Sequence, residues 1–192
     1  GKSTLLRLLN GLVLPSSGRV MMGGSDTVKA ASAIRRRVGF VFTDPDAQLV
    51  MPTPLEDVAL SLRKMGVPRS QRIARAEKIL DDFGLAHQAL VPVHQLSGGQ
   101  KQLLALAGVL ATEPALVVCD EPTTLLDLRH ATQMSRRLMN LPQQLIYATH
   151  DLDFASAADR VLVIMDGAPA FDGEPALAID FYRKAMSLEG SF

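Results

Sequence analysis

The stretch 95–122 sets the terms for the rest of the chain. It has three parts: a tight polar turn, Leu96-Ser97-Gly98-Gly99-Gln100; an apolar, helix-like run over 102–111; and, after a break at Glu113-Pro114, a continuously apolar segment, Leu116-Val117-Val118-Cys119, that ends in Asp120 and Glu121. An unbroken apolar run rich in β-branched residues reads as a strand buried on both faces, which requires a sheet covered by helices on each side. Such a strand delivers its two acids to the carboxyl edge of the sheet, where open α/β folds bind ligands. One carboxylate suits a magnesium shell, and the other can orient or deprotonate a water. Upstream, Ser97 fits a helix N-cap, Gly98 and Gly99 let backbone approach a ligand closely, and the helix N-terminus offers free N–H groups to an anion. Each feature alone also has a bland reading, as a capped turn or the start of a solvated loop.

The chain opens Gly1-Lys2-Ser3-Thr4, followed by Leu5, Leu6, Leu8, Leu9 and Leu12, which are expected on one helical face. Glycine-lysine-serine before a helix is the second half of a P-loop, in which backbone N–H groups cradle phosphates, the lysine reaches them and the serine hydroxyl joins the magnesium shell. An ordinary helix start looks similar. The first half of that motif, the strand expected before it and an initiator methionine do not occur in the 192 residues. The chain is therefore expected to be truncated within its first functional motif, to fold poorly by itself and to bind ATP weakly, because core backbone groups would lack partners.

The remaining pattern alternates. Strands are expected at 19–22, 38–42, 145–148 and 161–165, with a hairpin turn at Asp166-Gly167, and helices near 55–65, 73–83, 128–141 and 175–187. Thr53-Pro54-Leu55-Glu56 has the form of a capping box with proline at the first helical position. Strand–helix alternation predicts an α/β fold with a mostly parallel sheet. The expected organisation is one domain, with 1–51 and 112–192 forming the α/β core and 52–111 a small helical subdomain. Lys+Arg and Asp+Glu each number 20, so a nucleic-acid-binding surface is not indicated. Arg35-Arg36-Arg37 leads into a strand rather than forming a binding arm. The single cysteine, Cys119, lies in an apolar strand and excludes a disulfide framework. No stretch reaches the ~18–20 apolar residues of a membrane span, and the start does not have the form of a secretory signal, so a cytosolic protein is expected.

Taken together and in order, GKST, LSGGQ, an apolar strand into Asp120-Glu121 and a strand into His150 resemble the ATP-binding-cassette ATPases over essentially the whole chain. The resemblance implies a P-loop NTPase fold, ATP and Mg2+ as ligands, and ATP hydrolysis. It implies that Gly1, Lys2, Ser3 and Thr4 bind nucleotide phosphates, that Ser3 and Asp120 serve Mg2+, that Glu121 acts on the attacking water and that His150 contacts the γ-phosphate. It further implies that Ser97, Gly98, Gly99 and Gln100 bind ATP held by a second ATPase subunit, with Asp127 in the loop crossing between the two. Thr43 stands where most of the family has Gln and is shorter; Leu125 stands where relatives often have Gly.

The run from Phe40 to Leu49, with Pro52-Thr53 and Glu56-Asp57-Val58-Ala59, is similar to the energy-coupling-factor importer ATPases. Thr43 with Asp44-Pro45-Asp46-Ala47-Gln48 is similar to the biotin-transport members, the cobalt and nickel ATPases being close. This implies a peripheral protein on the cytoplasmic face of the membrane, working with a transmembrane coupling subunit and a substrate-binding membrane subunit. The alternative is a soluble ATPase of the same superfamily, acting in DNA repair or on the ribosome. Repair members insert long coiled coils, whereas 52–96 holds two short helices; ribosome-acting members usually carry two cassettes in one chain.

Overall fold

Helix α1 (Lys2–Leu9) opens the chain with Gly1 as its N-cap, in a computed structural model that describes residues 1–189. Positions 190–192, the end of the expected core segment, lie outside the described residues. Of the leucine stripe only Leu6 is fully buried, while Leu5 and Leu12 are exposed, so the apolar face is wider than the face that packs. Strands β1 (Met21–Met22) and β2 (Ser25–Asp26) form a short antiparallel hairpin. Helix α2 (Ala31–Arg37), unforeseen from sequence, runs directly into β3 (Val38–Val41). The three arginines fill the last turn of α2, where cations complement the helix dipole.

Helix α3 (Pro54–Lys64) starts as the capping pattern predicts, with the Thr53 side chain accepting from the Glu56 N–H. Helix α4 (Arg69–Asp82) follows, and then α5 (Gly98–Leu110). Helix α5 begins at Gly98 with Ser97 as its N-cap, as expected; the two glycines form its first turn, so the helix starts four residues ahead of the apolar run that opens at Gln102. The chain continues through β4 (Leu116–Asp120), α6 (Leu128–Met139), β5 (Gln144–Ala148), a short helix α7 (Leu152–Ser156), β6 (Val161–Met165), β7 (Ala168–Gly173) and α8 (Pro175–Glu189).

The main sheet is three parallel strands in the order β3-β4-β5, with Val41 opposite Cys119 and Cys119 opposite Tyr147. The antiparallel pairing lies apart from it, in β1–β2 and in β6–β7. A groove of about 690 Å³, lined by Ile146, Ala148, Leu162 and Ile164 among others, runs between β5 and β6.

Every residue of β4 is buried. Its alternate side chains enter two different cores, as the two-residue period of a strand requires. Val117 and Cys119 pack with Leu106, Met134, Leu138 and Phe154; Leu116 and Val118 pack with Leu6, Ile34 and Phe40. Burial pushes the Cys119 thiol far above its ordinary pKa. A third cluster, Val58, Leu62, Ala76, Leu80, Leu104 and Ala107, fills the space among α3, α4 and α5. Helix α5 therefore serves two cores, Leu104 and Ala107 facing one, Leu106 and Val109 the other. It presses on β3 at Gly39, where a Cβ would stand 2.4 Å from Val109 Cγ1. Among the described residues, no helix is long and apolar enough to cross a membrane.

Candidate functional site

β4 carries Asp120 to the sheet edge with its side chain 1 % exposed, and the backbone then turns through Glu121 at φ +52°. That is the left-handed region, disfavoured for residues other than glycine. The Glu121 N–H donates to Ala148 O at 3.0 Å, and Thr43 Oγ1 donates to Asp120 O at 2.8 Å.

The N-terminus of α1 meets this edge. Ser3 Oγ donates to Asp120 Oδ1 at 2.9 Å, and one turn later the Arg7 guanidinium lies 3.7 Å from Asp120 Oδ2. Lys2 Nζ lies 3.2 Å from Glu121 Oε1 and donates to Thr149 O at 3.4 Å. From the end of β5, His150 Nδ1 approaches Glu121 Oε2 at 2.8 Å, and the His150 N–H donates to the same oxygen at 3.3 Å. Thr124 Oγ1 adds a third donor at 3.1 Å. Partial burial pushes the Glu121 carboxyl upward, but Lys2, Thr124 and His150 together outweigh it and hold the group below the ordinary glutamate range. Gly1 and Thr4 are exposed at the start of α1.

A second group forms around the start of α5. Ser97 and Gln100 make a reciprocal capping box: Ser97 Oγ accepts from the Gln100 N–H at 3.3 Å, and the Ser97 N–H donates to Gln100 Oε1 at 2.9 Å. A Cβ on Gly99 would stand 2.8 Å from His130 Cδ2, so this glycine makes room for a side chain of its own chain. His130 in turn holds Asp127, its backbone N–H donating at 3.0 Å and its Nδ1 lying 2.7 Å from Asp127 Oδ2. The backbone N–H of His130, then its ring, keep the Asp127 carboxyl below its ordinary pKa. Among the described residues no side-chain hydrogen bond or ion pair joins this group to the one around Glu121.

Four contributors went unnoticed in the sequence. Arg7 carried a usable signal, since it lies four residues after Ser3 and therefore on the same helical face. Thr149 carried none, because its contact with Lys2 depends on how distant segments meet; Thr124 and His130 stand three residues after the carboxylates they touch, a local spacing that was not read.

The donor set fits magnesium. Ser3 and Asp120 place a hydroxyl and a carboxylate oxygen side by side, and this ion takes one or two protein oxygens and completes its shell with water and phosphate. No cluster of three or more His, Cys, Asp or Glu competes for a metal among the described residues.

A covered parallel sheet whose central strand ends in paired acids, opposite a helix opened by lysine and serine, defines a P-loop NTPase. Comparison with known proteins narrows the class. The profile of the ABC transporter family matches residues 1–124. An ABC transporter ATP-binding protein of Deinococcus radiodurans is 46% identical over 187 residues, spanning 97% of this chain and 83% of that protein. The biotin transport ATP-binding protein BioM of Rhizobium etli is 40% identical over 184 residues, spanning 96% and 82%. The solved structure of cbiO1 from Clostridium perfringens, part of the ABC transporter complex cbiONQ, superposes with a TM-score of 0.80 at 31% identity, spanning 99% of this chain and 79% of that one. The chain belongs to the ABC transporter ATPase family, whose members bind and hydrolyse ATP.

Proposed function

We propose that this chain is the ATP-hydrolysing subunit of an energy-coupling-factor importer, with biotin as the transported solute. The convergence of Lys2, His150 and Thr124 on Glu121 carries the catalytic reading. Glu121, ionised and fixed by three donors on Oε2, orients the attacking water and accepts its proton. Lys2 rests on the other oxygen of Glu121; a bound phosphate competes for its ammonium and so frees that oxygen for water. Gly1, Lys2, Ser3 and Thr4 hold the phosphates at the start of α1. Ser3 and Asp120 hold Mg2+, which when bound neutralises phosphate charge. His150 keeps Glu121 in place and faces the γ-phosphate. Phosphoryl transfer asks chiefly for such positioning and charge neutralisation.

Among the described residues, no side-chain hydrogen bond or ion pair joins Ser97, Gly98, Gly99 or Gln100 to this cluster. That separation supports their acting on ATP held by a second ATPase subunit, with Asp127 at the boundary. In this reading 52–111 works as a helical subdomain, and the protein sits on the cytoplasmic face of the membrane through a transmembrane coupling subunit and a substrate-binding membrane subunit. The likeness to BioM and the run Thr43 to Gln48 support biotin over cobalt or nickel.

The test is ATP turnover by the full-length protein with Glu121→Gln beside it. The variant is expected to lose turnover by ~10³-fold or more while still binding ATP and to dimerise when ATP is added; normal turnover refutes the assignment. Uptake of labelled biotin by cells expressing the complete transporter, against labelled cobalt and nickel, decides the solute.

A further inference from the structure

We infer that Thr43 is a positioning residue for Glu121: it fixes the peptide bond that carries the carboxylate and ties that peptide to helix α5. The inference rests on the reading of Glu121 given above.

The peptide between Asp120 and Glu121 is held from both sides. Its carbonyl oxygen accepts from Thr43 Oγ1 at 2.8 Å, and its N–H donates to Ala148 O at 3.0 Å. Continuing the parallel register beyond Val41 and Cys119 brings Thr43 level with Glu121, so a short side chain reaches across from the end of β3. The plane of this peptide sets φ of Glu121, and with it the direction of the carboxylate. At φ +52° the backbone has a strong preference to relax elsewhere, so the orientation persists only while both ends of the peptide are held. Ala148 supplies one restraint from inside the sheet. Thr43 supplies the other from a loop.

That loop is strapped to α5. Gln102 Nε2, on a side chain only 2 % exposed, donates to Phe42 O at 3.2 Å. Lys101 Nζ lies 2.8 and 3.0 Å from the two Asp46 oxygens. Gln48 Nε2 donates to Ala105 O at 3.3 Å, while its Oε1 accepts from the Phe42 N–H at 3.2 Å. Three successive contacts on one stretch of α5 make the segment 42–48 move with the helix whose first turn holds Gly98 and Gly99. Thr43 is the point at which that unit grips the carboxylate peptide. A shift of α5 is thereby delivered to Glu121.

The grip needs a hydroxyl. Thr43→Val keeps the shape and loses the donor; Thr43→Ser keeps the donor. In steady-state ATP hydrolysis by the full-length protein, Thr43→Val is expected to lower kcat by ~10- to 100-fold with KM for ATP changed by less than about twofold, because positioning and not ground-state binding is lost. Thr43→Ser is expected to restore kcat to within about threefold of wild type. Thr43→Ala, whose smaller side chain fits where valine does not, carries the same test should Thr43→Val fail to fold by thermal melting. A hydroxyl-free variant with wild-type kcat, a loss confined to KM, or a loss that serine does not restore overturns the inference. Glu121→Gln run alongside separates the failures. If it hydrolyses ATP normally, the reading of Glu121 falls and this inference with it; if it is inactive while Thr43→Val and Thr43→Ala are normal, only the inference falls.

Discussion

Glu121 holds its charge against its surroundings. Burial disfavours the carboxylate, and Lys2, Thr124 and His150 favour it more strongly. Its folded pKa therefore lies below the ordinary value of 4.5, and the stabilisation it contributes is complete above the unfolded-state pKa and is lost as pH falls through the folded one. Lys2→Met removes the strongest of the partners that oppose burial, so the folded pKa rises. The variant is expected to be less stable than wild type at about pH 7, with the difference shrinking as the carboxyl protonates towards about pH 3. Urea unfolding across that range measures it; a difference independent of pH would assign the loss to packing instead. At this scale Lys2, Ser3, Asp120 and Glu121 were legible as residues, because each sits in a run whose local pattern is distinctive; that Lys2 rests on Glu121 was not. Thr149 was not, since threonine occurs everywhere and only the fold brings its carbonyl to Lys2; Arg7 and Thr124, each about one helical turn in sequence from Ser3 and Glu121, were within reach of a local reading but were passed over.

At the scale of the element, α5 shows how the first turn of a helix can hide. Two adjacent glycines read as a turn because glycine weakens a helix by roughly 0.5–1 kcal/mol relative to alanine. Here they sit inside the first turn, and the Ser97–Gln100 capping box compensates by satisfying end groups. Gly99→Ala would ordinarily stabilise such a helix. With His130 at 2.8 Å from the new Cβ it is expected to destabilise by ~1–3 kcal/mol, the usual range for overpacking. Adding His130→Ala should return most of that loss, and a double-mutant cycle on urea midpoints measures the coupling; additive effects would mean the ring moves aside freely. The short helices escaped for a related reason. α2 buries only Ile34, and α7 buries only Phe154 and is started by the Asp151 side chain capping it. Neither has enough apolar period to be seen.

Across the whole molecule, the parallel sheet was readable because the runs that became β3 and β4 are apolar on both faces, a pattern that few environments besides a covered sheet satisfy. The hairpin turn at Asp166-Gly167 was readable too, but β7 was not: it is largely exposed and contains Pro169, which lies at the register shift opposite Ile164. Nor could the sequence reveal that α5 belongs to two cores at once, since periodicity tells which residues face inward but not which neighbours they meet. The buried strand β4 also contains a natural clock. Cys119 is the only thiol in the chain, is 0 % exposed and immediately precedes Asp120. With its thiolate suppressed by burial, it can react only when β4 opens, so each alkylated molecule records one excursion of the carboxylate strand into solvent. In native buffer it is expected to react with iodoacetamide at least ~10³-fold more slowly than free cysteine. Mass spectrometry would count the events, and bound ATP should lengthen the interval between them.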